Sequence, residues 1–308
     1  MLCEGLTRRW GFYFTARSGD GIGSNDIFAL LGEFVSVGHL RDLPPDDFQD
    51  ILEQNCNYVH RRFCQLLLSR VLILQLFLEG AAAQPGGITA EHREQWFLIQ
   101  AAPITLLGDD VFQLLSKSLS LRMDLDTLVT KIHEVGVEIA TLLGHAINDM
   151  LCVIDEAQYM AHMLQSKFKS ADGDTPRPVL RELILAWRGF MPITVSGTGP
   201  SMSDIEIILG SAVSKELVTS HVVITDTGAF DGRDDQRAYV EQYVPPGFLY
   251  TEAGQDLMLR MEYWLHGRCA MLALFSEYAL IIPSPDIVSL PLMSLVSLPP
   301  ASSLPIEY

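Results

Sequence analysis

The sequence is short of cysteine and short of positive charge, and each shortage removes a class of answer. Five cysteines (Cys3, Cys56, Cys64, Cys152 and Cys269) are odd in number and form no C-x-x-C pair. That excludes a disulfide framework and a structural zinc site and points to reduced thiols inside a cell. The eight histidines show no H-E-x-x-H or H-x-H spacing, so no transition-metal site is assigned. Lys and Arg number 21 against 38 Asp and Glu, a net charge of −17. So acidic a chain disfavours broad adhesion to nucleic acid or anionic membrane and leaves room only for a local basic patch. No apolar run is clean enough for a leader or a membrane span. Met1 to Trp10 carries charge, and the best span candidate, Phe63 to Ala83, is interrupted by Gln65, Ser69, Arg70, Gln75 and Glu79. An arginine at the centre of a spanning helix costs about 2.5 kcal/mol or more, so a buried amphipathic helix is expected there.

What the chain does have is material for a core. With 308 residues, 48% of them hydrophobic, and a mean hydropathy of +0.22, it fits one large α/β domain or one domain with a helical appendage. Aromatic and β-branched residues make Gly11 to Ala16 a strand. A turn over 18–23 follows, with Ser24 placed to cap a helix running toward Val37 and Asp26 in its first turn. Helical periodicity runs from Asp46 to Leu78, with a break expected at Asn55-Cys56-Asn57; more helices are expected over 90–101, 109–121 and 126–145. Further strands are expected at Met150 to Ile154, Pro192 to Ser196 and Ser220 to Thr225, with a polar loop over 166–178 and a helix from Val179 to Arg188 between the first two. Two helices, near 234–243 and 254–278, complete the regular structure. Strands alternating with helices predict an α/β fold with a mostly parallel sheet. The expected organisation is an α/β core over 1–230 carrying a helical insertion at about 46–121, a helical segment over 231–280, and a Pro/Ser/Leu-rich irregular tail over 281–308.

The most informative run is Met150-Leu151-Cys152-Val153-Ile154-Asp155-Glu156-Ala157-Gln158. Apolar residues lead straight into Asp-Glu, as when a buried strand delivers two carboxylates to the edge of a sheet. Adjacent carboxylates repel each other unless a cation or donor lies near, which is a physical reason to expect Mg²⁺ at Asp155. The competing reading is a strand that meets a solvated loop. A second apolar strand, ending Ser196-Gly197-Thr198-Gly199 in hydroxyls, favours the first, because P-loop ATPases end the neighbouring strand in a polar sensor of the γ-phosphate or its water, a role these hydroxyls would suit. Taken singly they would be a turn whose hydroxyls cap backbone groups. A phosphate loop of the form G-x-x-x-x-G-K-[ST] occurs nowhere in the 308 residues. Asp20-Gly21-Ile22-Gly23-Ser24 lacks both that lysine and the third glycine of a dinucleotide fingerprint, so it reads as a turn into a capped helix. Arg268, just after a helix break at Trp264-Leu265-His266-Gly267, could reach a γ-phosphate or pair with a surface carboxylate. A shared acid–base pair of Asp155 and Glu156 is awkward, since neighbours on a strand point to opposite faces.

Taken in order, Glu4-Gly5-Leu6, Trp10 to Phe14, Gly21 to Asp26, Ile154 to Gln158, Ser196 to Gly199 and Trp264 to Arg268 resemble a group of fungal P-loop ATPases. These belong to the AAA/STAND-like branch and are similar to the NTPase modules of Crinkler-type proteins. Order and spacing over most of residues 2–280 carry the resemblance. In that family the Walker A loop lies immediately upstream of the segment matching Leu2 to Phe14. The resemblance therefore implies a P-loop NTPase-like fold whose first strand and phosphate loop are missing from this chain. It implies ATP and Mg²⁺ in the full family form, with Asp155 coordinating Mg²⁺, Glu156 activating water, and Ser196 or Thr198 as sensors. Arg268 would be a sensor-2-like or finger arginine. After that arginine the family continues with an aromatic-basic pattern, whereas this chain has Cys269-Ala270-Met271.

The expectation is thus a fragment of an ATP-binding, Mg-dependent ATPase, inactive by itself. A sheet without its central first strand leaves neighbouring backbone groups unpaired, each buried one costing ~1–3 kcal/mol, and the domain is expected to be marginal or aggregation-prone. The alternative is a degenerate regulatory or interaction domain that keeps the fold without using nucleotide. No particular partner follows; self-association or a protein partner fits either reading, and neither membrane nor broad nucleic-acid binding does. The expected location is intracellular, cytoplasmic or nuclear, with secretion as an effector left open by the missing upstream segment.

Overall fold

Gly11-Phe12-Tyr13-Phe14-Thr15 is buried at every position and forms β1 (Gly11–Thr15), the first strand of a parallel sheet. Gly11 is needed for that pairing, because a Cβ would stand 2.1 Å from the Leu151 carbonyl oxygen. β1 pairs in parallel with β2 (Leu151–Asp155), and β2 in parallel with β3 (Ile193–Val195), in the order β1-β2-β3. The register sets Thr15 opposite Asp155 and Ile154 opposite Val195. The computed structural model describes residues 2–17, 22–36, 38–44, 48–119, 123–170, 175–197, 233–241 and 244–265. The strand expected at Ser220 to Thr225, the helix beyond Leu265 and the tail over 281–308 lie outside the described residues. The chain divides into two units, 1–218 and 219–308, and the sheet belongs to the first.

Both faces of the sheet are covered by helices, which explains why β1 and β2 are apolar almost throughout. On one face Leu6 from α1 (Leu2–Arg8) joins Tyr13 and Val153, with Phe97 from α4 (Ala90–Ala101) packed against them. On the other, Phe12, Phe14, Cys152 and Ile154 enter the main core. Cys152 is fully buried, as expected of a small apolar group, and burial pushes its thiol up to about 12. The outer edge of β1 is closed by side chains of α4. Gln100 Oε1 accepts the Tyr13 N–H at 2.9 Å, while Trp96 Nε1 and Gln100 Nε2 donate to the Gly11 carbonyl at 2.8 and 3.2 Å. Backbone groups that would otherwise be buried without partners are thereby satisfied.

The stretch expected over 46–78 with a break at 55–57 is one continuous helix, α3 (Gln49–Ala82). The break does not occur because Asn55 finds partners outside its own helix. Its amide donates to the carbonyls of Arg41 and Lys167 at 2.8 and 3.0 Å, and its oxygen accepts the Arg41 N–H at 3.1 Å. An asparagine so engaged no longer competes for the helical backbone. By length and composition α3 could cross a membrane, yet Phe63, Leu66, Leu67, Val71, Leu74 and Leu78 are all fully buried inside the protein. It packs against α7 (Leu125–Leu143) and α9 (Val179–Trp187), as the expected buried helix should. Arg70, at its centre, is buried with a counter-ion, its Nε 2.7 Å from Asp26 Oδ2. Its guanidinium sits 4.7 Å from the Phe14 ring and 3.9 Å from that of Phe112. One arginine therefore ties α3 to β1, to the first turn of α2 (Asp26–Ser36), and to α6 (Val111–Ser118).

The turn before α2 is anchored as well. The Ser24 hydroxyl donates to Asp110 at 2.8 Å and accepts the Asp26 N–H at 3.2 Å, and the Asn25 N–H donates to Asp110 at 2.8 Å. Asp110 also caps α6 by accepting the Gln113 N–H at 3.2 Å, so that helix starts later than the expected 109. A short helix that periodicity did not reveal, α5 (Pro103–Leu107), precedes it, with proline at its first position. One turn of helix, α8 (Gln158–Ala161), follows β2. In the second unit α10 (Arg233–Val240) and α11 (Glu252–Leu265) are accompanied by a small core of Val240, Leu249 and Met258.

Two measurements test this packing. Gln100→Leu orphans the Tyr13 N–H and is expected to lower stability by ~1–3 kcal/mol in denaturant titration, against near-neutral surface changes at Glu94. The second concerns Glu182 on α9, which is buried and accepts from His60 at 2.9 Å and Arg181 at 3.0 Å. Burial works to raise this carboxyl, but the His60 hydrogen bond and the Arg181 charge outweigh it and hold it below its ordinary value of 4.5. A carboxyl lowered by folding adds stability that is complete above the ordinary value and is lost as pH falls through the folded one. The melting-temperature advantage of the native chain over Glu182→Gln is thus expected to shrink on acidification below about 4.5. An advantage that grows there would contradict it.

Candidate functional site

β2 ends on Asp155 at the carboxyl edge of the sheet, the edge at which parallel α/β sheets bind ligands. The sequence places it there because the four apolar residues Leu151 to Ile154 run out at the first carboxylate. Three donors hold its side chain. The Ser196 hydroxyl donates to Oδ1 at 2.5 Å, the Glu156 N–H donates to the same oxygen at 2.9 Å, and the Tyr13 hydroxyl donates to Oδ2 at 2.9 Å. Ser196 can reach because it stands just past β3, its own N–H bonded to the Ile154 carbonyl at 2.8 Å. Its carbonyl in turn accepts the Ala157 N–H at 2.9 Å, which locks the two strand ends together.

Glu156 lies beyond the strand in a left-handed conformation, φ 54°. For a non-glycine residue that costs roughly 1–2 kcal/mol. The strained turn removes Glu156 from the alternation of the strand, so the opposite-face objection to a joint role with Asp155 does not apply. The Glu156 carboxylate is held by Gln158, whose Nε2 donates to Oε2 at 2.6 Å. Gly197 makes room for that glutamine: a Cβ there would fall 2.2 Å from Gln158 Oε1. Arg17, just after β1, stands 5.8 Å from the Tyr159 ring.

Of the residues proposed from sequence, Asp155, Glu156 and Ser196 are brought together, and Thr198 and Arg268 lie outside the described residues. The Ser196 hydroxyl proton is directed at Asp155, so its lone pairs are what it offers to a water or a ligand donor. Tyr13 and Gln158 were not anticipated. The only signal for Tyr13 is a hydroxyl within an otherwise apolar strand; for Gln158 it is proximity to Glu156.

Among the described residues no three His, Cys, Asp or Glu side chains converge on a point. A cage built wholly from protein ligands is therefore not what these residues make. They do fit Mg²⁺, which is held by one or two carboxylates together with waters and substrate phosphates. A hollow of about 260 Å³ beside the site, bordered by Ala16, Phe28, Val35 and Tyr159, is almost wholly apolar and offers phosphates nothing.

The strain at Glu156 is measurable. Glu156→Gly is expected to be more stable than Glu156→Ala by about 1 kcal/mol, since both remove the carboxylate and only glycine relaxes in the left-handed region. Equal stabilities in denaturant titration would show the turn to be unstrained. No family model matches the chain, no curated protein matches it, and no solved structure matches it.

Proposed function

We propose that the carboxyl edge of this sheet is the cation-and-water half of a nucleotide-hydrolysing site. The observation that carries the reading is the convergence of Asp155 and Ser196 from adjacent parallel strands, joined by a 2.5 Å hydrogen bond, with Glu156 one residue on. Asp155 would hold Mg²⁺ through Oδ2, and the ion when bound supplies the positive charge that phosphoryl transfer needs. Glu156 is the base for a water, and Gln158 keeps its carboxylate in place. Ser196 orients Asp155 and accepts from the water, while Thr198 and Arg268 keep the sensor and finger roles that the resemblance implies.

ATP as the nucleotide rests on the resemblance to P-loop ATPases of the AAA/STAND-like, Crinkler-type group. These 308 residues do not contain the N–H cradle and lysine that hold β- and γ-phosphates. The reading therefore assigns hydrolysis to a polypeptide that also carries such a loop, and none to this chain alone. The outer edge of β3 supports it. Among the described residues no strand pairs with that side of Ile193 to Val195, where the reading would place a further strand. The missing lysine loop equally favours a second reading, an interaction or regulatory domain that keeps the fold and binds no nucleotide.

In a form with G-x-x-x-x-G-K-[ST] joined upstream of Leu2, Glu156→Gln is expected to retain ATP binding and lose turnover. Undiminished hydrolysis in that variant would overturn the assignment, and a melting temperature indifferent to ATP would favour the second reading.

A further inference from the structure

We infer that Tyr13 is a positioning residue of this site, selecting the single carboxylate lone pair through which Asp155 meets a divalent cation; the inference rests on the proposed cation-binding role of Asp155. A carboxylate presents about four lone-pair positions. On Oδ1 both are taken, by the Ser196 hydroxyl and the Glu156 N–H. On Oδ2 one is taken by the Tyr13 hydroxyl. Among the described residues nothing occupies the other, so Asp155 meets a cation through one oxygen and cannot chelate it with two.

Tyr13 can keep its one position on Oδ2 because its own side chain is buried and packed. It is 3% exposed. Its ring meets Phe97 edge-on, with centroids 6.1 Å apart and planes at 75°. Its backbone N–H is held by Gln100, and a Cβ on Gly23 would come within 3.3 Å of its ring. The side-chain torsion that turns a carboxylate about its own axis is otherwise broad, with no staggered well to hold it. A fixed phenol on one oxygen and a fixed serine on the other confine it. The edge helix α4 thus reaches the cation site through Gln100, Tyr13 and Asp155 in sequence.

The test is a titration of Mn²⁺ into the 308-residue chain, followed by electron paramagnetic resonance of the free ion, for the native sequence, Tyr13→Phe and Asp155→Asn. Loss of an outer partner of a metal ligand typically lowers affinity 10–100-fold, so Tyr13→Phe is expected to bind Mn²⁺ about tenfold more weakly at an unchanged melting temperature. Native affinity in Tyr13→Phe, with binding abolished in Asp155→Asn, would overturn the role of Tyr13 and leave the cation site standing. Native affinity in Asp155→Asn would remove the cation site and the inference with it. Should Tyr13→Phe melt early, Phe97→Leu keeps the phenol and frees its ring. Weaker Mn²⁺ binding there supports the inference, and native binding overturns it.

Discussion

Among the described residues the parallel sheet is three strands wide, with as many edges as interior pairings, and the buried backbone groups of its edges need partners. That requirement organises the first unit. At β1 side chains meet part of it: Gln100 and Trp96 of α4 pair with the Gly11 carbonyl and the Tyr13 N–H, two groups that a fourth strand would have bonded. The solution fixes more than an edge. Because Gln100 holds the Tyr13 backbone, the Tyr13 side chain is held too, and its hydroxyl arrives at Asp155. A device that closes the sheet on one side also sets the carboxylate at its end.

The two edges differ, and the difference bears on function. On β1 the Gly11 carbonyl and Tyr13 N–H are taken by α4, while β3 is three residues long and, among the described residues, has no strand on its far side. Unsealed strands are normally shortened, charged or covered. Ile193-Thr194-Val195 is short and carries no charge. The polar residues gather at the carboxyl end of this same strand and of β2, and the strained backbone of Glu156 sits between them. Backbone strain beside convergent polar groups is the observation from which the proposed site is argued.

Much of this was legible in the sequence where the signal was local. The apolar runs ending in Asp155 and Ser196 were visible because a buried strand must stop where a carboxylate or hydroxyl begins, and the parallel sheet flanked by helices followed from their alternation with helical stretches. Asn55 was misleading because an asparagine pair looks like a breaker, and its real partners, Arg41 and the Lys167 carbonyl, are distant in sequence. The burial of Asp26 against Arg70 was hidden for the same reason, since an acidic residue in a first helical turn is fully explained by the helix dipole. Tyr13 could be assigned to a strand but not to a carboxylate 142 positions away. Local pattern thus revealed the strand ends, and long-range hydrogen bonds decided what those ends do.

The most direct test of the proposed cation site is anomalous scattering from crystals of the chain soaked in Mn²⁺. A peak about 2.1 Å from Asp155 Oδ2, with Ser196 and Tyr13 still bonded to the carboxylate, is the expected result. A saturated soak that places manganese elsewhere, or leaves Asp155 bound only to its protein donors, would contradict it.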